Sequence, residues 1–259
     1  MPAPTSRPDH IRAVVFDWRG TLVSELTPQG WAREALRLAD RPDDDEAVNT
    51  LLRDIRKAAG EPNRLQSPHG NTSYERHKET FHSVFSDAGL DTRLAEALFA
   101  VDSDPKHNKF AADAADTLTA LRANGCQIGV LSNIHFDIRP EFAEAGLLAS
   151  IDTFVLSGER GIQKPDPAIF ELMLEELGTA AEHTLMVGDR FTRDGAAATV
   201  GMPTLLIPPL TNHHKRQLHL VTNTVGITRS PAMPVMCDVP HDLWDDIESP
   251  ATSVEAANQ

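Results

Sequence analysis

Only two cysteines, Cys126 and Cys237, occur in the 259 residues, so the chain has no disulfide framework and no cysteine-based zinc site to build on. Each is expected as a small buried hydrophobe, which suits a reducing cytoplasm. Apolar runs of membrane length are missing too: none approaches the ~20 residues a bilayer crossing requires. The stretch from Met1 to His10 carries proline and polar residues instead of the apolar segment of a secretory leader. Bases are in deficit, 24 against 38 acids, for a formal net charge of −14. With no long Lys/Arg run to override that charge, nucleic acid and anionic lipid are poor partners. The expectation is a cytoplasmic protein that neither binds nucleic acid nor enters a membrane.

What is present is an alternation of short apolar runs with helical stretches. Five runs read as strands: Ala13 to Phe16, Ile128 to Leu131, Thr153 to Leu156, Thr184 to Val187 and Thr204 to Ile207. Helices with glycine stops lie among them, over Ala111 to Asn124, Pro167 to Leu177 and Asp194 to Val200. That order predicts an α/β fold, a Rossmann-like doubly wound parallel sheet. More than a hundred residues separate the first strand from the second, far beyond an ordinary crossover, and they carry helical signals. Helices are predicted from Pro28 after Thr27, from Asp44 to Ala59, from Ser73 to Ala88 and from Asp91 to Val101. Residues 60–71, with two prolines and two glycines, read as a loop. The division expected is a core of residues 11–27 and 106–210, an inserted α-helical cap of 28–105, and a C-terminal extension of 211–259 with a disordered end.

Polar residues useful in phosphate chemistry follow four of the five strands: Asp17, Ser132 with Asn133, Lys164 after a short loop, and Asp189 after Gly188. Open parallel sheets bind ligands beyond the carboxyl ends of their strands, so these residues should meet. In that order the chain resembles the haloacid dehalogenase-like hydrolase superfamily. Its four motifs match Asp17 to Thr21, Ser132, Lys164 with Pro165-Asp166-Pro167, and Gly188-Asp189 with Asp194, over about Ile11 to Pro208.

The resemblance implies a hydrolase of a small phosphorylated metabolite in which the Asp17 carboxylate attacks phosphorus and forms an aspartyl-phosphate. It also implies Mg²⁺ held by Asp17, Asp189, Asp194 and the backbone carbonyl of Arg19. Thr21, Ser132, Asn133 and Lys164 would bind phosphate, with Lys164 balancing charge that develops in the transition state. Arg19 departs from the pattern, because phosphatases of the superfamily carry a second aspartate there for proton transfer, and a guanidinium stays protonated. Three explanations are open: a leaving group that needs no proton or a substitute acid and base such as a cap Glu or His, with His69 and His77 as candidates; Arg19 as a clamp for a substrate carboxylate or second phosphate; or a weak or inactive relative that binds a phosphorylated ligand. A 2-haloacid dehalogenase, which also lacks the second acid, and a non-catalytic phospholigand binder are the alternative functions.

Overall fold

The computed structural model describes residues 11–67 and 69–227. Cys237 and the remainder of the expected C-terminal extension lie outside them.

Five parallel strands form one sheet: β1 Ala13–Phe16, β2 Gln127–Ser132, β3 Thr153–Leu156, β4 Thr184–Gly188 and β5 Thr204–Leu206. Their spatial order is β3-β2-β1-β4-β5, with β1 paired to both β2 and β4. Because the chain winds outward in both directions from β1, the crevice beyond the carboxyl ends of β1 and β4 is the natural ligand site.

The alternation of β1 shows both faces covered. Val14 and Phe16 pack with Leu118, Leu121 and Phe142 on one side, whereas Ala13 and Val15 pack with Ile169, Phe170 and Met173 on the other. Side chains of a strand point alternately to opposite faces, so a wholly apolar β1 is what a two-sided burial demands.

Four helices fill the long interval after β1: α1 Pro28–Leu38, α2 Asp45–Ala59, α3 Tyr74–Asp87 and α4 Thr92–Ser103. Each begins where the sequence places a cap. Thr27, Asp44, Ser73 and Asp91 accept from the amides of Gly30, Ala47, Arg76 and Leu94, satisfying orphan first-turn donors. Ala35, Leu51, Ile55, Phe85 and Leu98 gather into an apolar cluster separate from those flanking the sheet. The loop between α2 and α3 contains a 3₁₀ turn, Arg64–Gln66.

Among the described residues the remaining helices are α5 Ala114–Ala123, α6 Arg139–Glu144, α7 Ser157–Arg160, α8 Pro167–Leu177 and α9 His219–Thr224. Residues 194–200, expected as an α-helix, form tighter 3₁₀ turns. α5 starts three residues later than its sequence pattern suggests, because Ala111 and Ala112 spend their amides on the carbonyls of Leu22 and His213. The carboxylate of Asp113 accepts from Leu218 N at 3.0 Å instead of capping α5. That bond fastens a segment read from sequence as an extension: Leu218 and Val221 pack in the same cluster as Val14 and Phe16.

Candidate active site

Asp17 leaves the end of β1, with its amide bonded to the carbonyl of Val187 in β4. Lys164 reaches it from the loop after β3, and its ammonium donates to Asp17 Oδ1 at 2.7 Å, Asp194 Oδ1 at 2.6 Å and the Leu131 carbonyl at 2.9 Å. An ammonium has three donors, so all are used. Only 1% of Lys164 is exposed. Burial opposes its charge, but the carboxylates of Asp17 and Asp194 outweigh burial and hold Lys164 above the ordinary lysine range.

Asn133 positions this lysine. Its side-chain amide donates to the Lys164 carbonyl at 2.8 Å, while its carbonyl oxygen accepts from Lys164 N at 2.8 Å. Ser132, the last residue of β2, lines the same chamber beside Asp17.

The acids crowd together. Asp17, Asp189 and Asp194 place carboxylate oxygens within 4.8 Å of one another. Two glycines permit this: a Cβ on Gly20, whose φ is +78°, would sit 2.6 Å from Asp189 Oδ2, and one on Gly188 would sit 2.2 Å from Asp194 Cγ. Asp194 Oδ2 accepts from the amide of Arg190 at 2.9 Å, but Asp189 Oδ1 is buried without a partner among the described residues. Burial, then the charge of Asp17, pushes the Asp189 carboxyl up to about 7. Burial likewise lifts Asp17 above its ordinary value against the pull of Lys164. An unpartnered carboxylate oxygen, hard oxygen donors and surplus negative charge suit a hard divalent cation.

Arg19 does not extend toward this cluster. Its guanidinium donates to the Asp102 carbonyl at 2.6 Å, the Asp102 carboxylate at 3.5 Å and Asn108 Oδ1 at 3.3 Å. It also lies over the rings of Trp18 and Phe136, 5.7 and 5.5 Å from their centres. Asp102, near the end of α4, is the residue sequence reasoning missed. Its second oxygen is 2.9 Å from His77 Nε2 in α3. Although burial alone would raise it, the hydrogen bond from His77 and the charge of Arg19 hold Asp102 down at about 2. The ionised carboxylate can only accept, so His77 Nε2 is the donor in this bond.

His77 is 4% exposed, contrary to the solvated position usual for a helix histidine, and stacks on His135 with ring centres 3.7 Å apart. Burial and the neighbouring His77 push His135 down to about 3. His69, the other candidate from the helical segment, is exposed. Thr21 is fully buried, and its hydroxyl has no partner among the described residues.

Gln163 is a second residue without a sequence signal. Beside Lys164, it accepts from Asn71 N at 2.7 Å and donates to the Ser67 carbonyl at 3.0 Å, tying the loop between α2 and α3 to the active-site loop. The chamber so closed measures about 150 Å³ and is walled by Asp17, Ser132, Lys164 and Asp194 from the sheet side and by His77 and Asp102 from the helices.

The family model described as haloacid dehalogenase-like hydrolase matches residues 11–201. The chain belongs to that family of hydrolases. Glyceraldehyde 3-phosphate phosphatase of Methanothermobacter thermautotrophicus is 29% identical over 84% of this chain and 94% of its own. Similarity to haloacid dehalogenase-like hydrolase domain-containing protein 3 of Danio rerio, at 32% identity, spans 42% of this chain and less than half, 45%, of that protein. Among solved structures, a HAD phosphatase from Thermococcus onnurineus is 24% identical with a TM-score of 0.57, covering 85% of this chain and all of that one. L-2-haloacid dehalogenase from Xanthobacter autotrophicus is also 24% identical, with a TM-score of 0.55 and 85% of each chain covered. These structures share the fold, which hosts both chemistries. Among the described residues no helix is long and apolar enough to cross a membrane.

Proposed function

We propose that the protein hydrolyses a phosphate monoester of a small metabolite, with Asp17 as nucleophile and α1–α4 as a cap over the site. The observation that carries this reading is the pairing of Asp17 with Lys164 beside two further acids, Asp189 and Asp194. Displacement of halide by a carboxylate needs no such cluster of acids, whereas phosphoryl transfer uses a divalent cation to neutralise charge. The phosphatase relative, similar over most of both chains, supports the same choice.

In the reaction, an oxygen of Asp17 forms a bond to phosphorus while the ester P–O bond breaks and the leaving oxygen keeps the electron pair and takes a proton. Water then attacks phosphorus, releasing phosphate and restoring the Asp17 carboxylate. Lys164 orients Asp17 and faces the incoming negative charge, and Ser132 with the Asn133 amide donates to phosphoryl oxygens. Asp17, Asp189, Asp194 and the Arg19 carbonyl would hold Mg²⁺. When bound, that ion supplies charge neutralisation of the transferring phosphoryl group.

The proton is the difficulty, since Arg19 cannot supply it. Arg19 is already committed to Asp102, so a substrate anion would have to compete with an internal carboxylate. Through Asp102 it helps fix His77 in the chamber wall, and in this reading the imidazole moves the proton. His77→Gln is therefore expected to lower kcat on alkyl phosphates by ~10²-fold or more, and far less on p-nitrophenyl phosphate, whose leaving group needs no proton. Equal losses on both substrates would remove His77 from this role.

Metal binding has a readout apart from turnover. A carboxyl raised from 3.8 to about 7 by folding binds its proton more tightly in the folded state. Its favourable contribution is therefore complete below the unfolded value and is lost as pH rises through the window up to about 7. Mg²⁺ should restore stability where those acids are ionised, raising the melting temperature more at pH 8 than at pH 5. No Mg²⁺-dependent shift at either pH would count against the metal site.

The test of the function as a whole is phosphate release from a panel of monoesters and acyl phosphates, with and without Mg²⁺. Chloride release from 2-chloropropionate without added metal, in place of phosphate release, would select the dehalogenase alternative.

A further inference from the structure

Beyond the nucleophile chamber lies a second and larger cavity of about 520 Å³. It adjoins the first, and Arg19, Glu25, Phe81, Asp102 and Arg190 belong to the walls of both. The character of the walls changes across that boundary. Around Asp17 they are mostly carboxylates, an ammonium and amides; farther out Leu26, Trp31, Leu52, Ile55 and Val101 stand among polar residues such as Arg56, Asn63, His107 and Asn108. Trp31 is fixed there, its indole N–H bonded to the Leu98 carbonyl at 2.9 Å. The ring therefore turns an apolar surface to the cavity with no unmet hydrogen bond.

A phosphate within reach of the Asp17 carboxylate would have its ester oxygen directed away from Asp17, because in-line displacement sets nucleophile and leaving group on opposite sides of phosphorus. The space adjoining that chamber is the larger cavity, whose helix-borne walls include Trp31, Leu52, Ile55 and Val101. We infer that the substrate's leaving group carries an apolar body the size of an aromatic ring or larger, seated among Trp31, Leu52, Ile55 and Val101. Phosphates of two- or three-carbon polar alcohols would leave most of this space as water against apolar walls, without the burial that binds ligands in such sites. The inference deepens the phosphatase proposal and rests on it, since it takes the leaving group to be the alcohol of a phosphate ester.

The test compares 3-phenylpropyl phosphate with propyl phosphate, whose leaving alcohols are of similar basicity, and uses acetyl phosphate as a small reference. Wild type is expected to favour the phenyl ester by at least ~10-fold in kcat/KM. Leu52→Trp, which fills the cavity, and Leu52→Lys, which charges its wall, should each cut the ratio of phenylpropyl to acetyl phosphate by ~10-fold. Both replacements sit at a partly buried helix position, and a melting curve verifies each fold. Turnover of acetyl phosphate with no preference for the phenyl ester, or a ratio unmoved by both folded variants, would overturn the inference and leave the phosphatase reading intact. Failure to release phosphate from any of the three would overturn both.

Discussion

Asp17→Asn is expected to eliminate phosphate release, a loss on the order of 10⁴-fold or more, as removal of a nucleophile does, without lowering the melting temperature. An amide cannot form the acyl-phosphate bond, so chemistry stops at its first step. The fold tolerates the change for a separate reason. Lys164 retains Asp194 and the Leu131 carbonyl as partners, and one charge leaves a crowded group of three buried acids. Phosphate release and thermal melting on the same preparations would measure both. Turnover within tenfold of wild type would remove Asp17 as the nucleophile. A collapsed fold would show that its charge is structural.

Lys164→Met reverses that pattern. The side chain keeps nearly its volume and loses its charge, leaving Asp17, Asp189 and Asp194 without the cation that Lys164 supplies among them. Breaking a buried ion pair from one side typically costs ~3–5 kcal/mol, which for a protein of this size lowers the melting temperature by about 10 °C. Activity should fall with it, since Asp17 loses its orienting donor. Mg²⁺ should recover more melting temperature in this variant than in wild type, because added positive charge replaces part of what was removed. A melting temperature unchanged in metal-free buffer would mean that the cluster does not depend on Lys164 for its charge balance.

Much of the fold was legible because its signals are local. A continuous apolar run such as Ala13 to Phe16 marks a strand buried on both faces, and Thr27, Asp44, Ser73 and Asp91 bond to amides three residues ahead, within reach of a sequence window. Errors arose where a backbone group found a distant partner. The start of α5 is delayed by bonds from residues 111 and 112 to Leu22 and His213. The stretch around Leu218, weak in pattern, is held by Asp113, 105 positions away. No periodicity can announce such pairings, because loop closure in a folded chain is indifferent to the sequence between its ends.

At the site the same division holds. Strand-end position brought Asp17, Ser132, Asn133, Lys164 and Asp189 into view together, since a parallel sheet aligns the carboxyl ends of its strands along one edge. The histidines of the helical segment were visible only as residue types, with nothing to choose His77 from His69. The choice came from Asp102, a carboxylate 83 positions from Arg19 and 25 from His77 that bonds to both. Gln163, the polar chamber and the larger cavity that meet at Arg19, and the oxygen of Asp189 without a partner among the described residues are likewise invisible to spacing.

The sequence by itself therefore determined the parallel sheet, the helical insertion and the acids and lysine at the strand ends, all consequences of short-range patterning and of one topological rule. Tertiary structure alone decided that Arg19 pairs with Asp102, that His77 and not His69 lines the chamber holding Asp17, and that a cavity of about 520 Å³ adjoins that chamber. Those properties depend on distances between elements far apart in the chain, and such distances are set by packing the helices over the sheet.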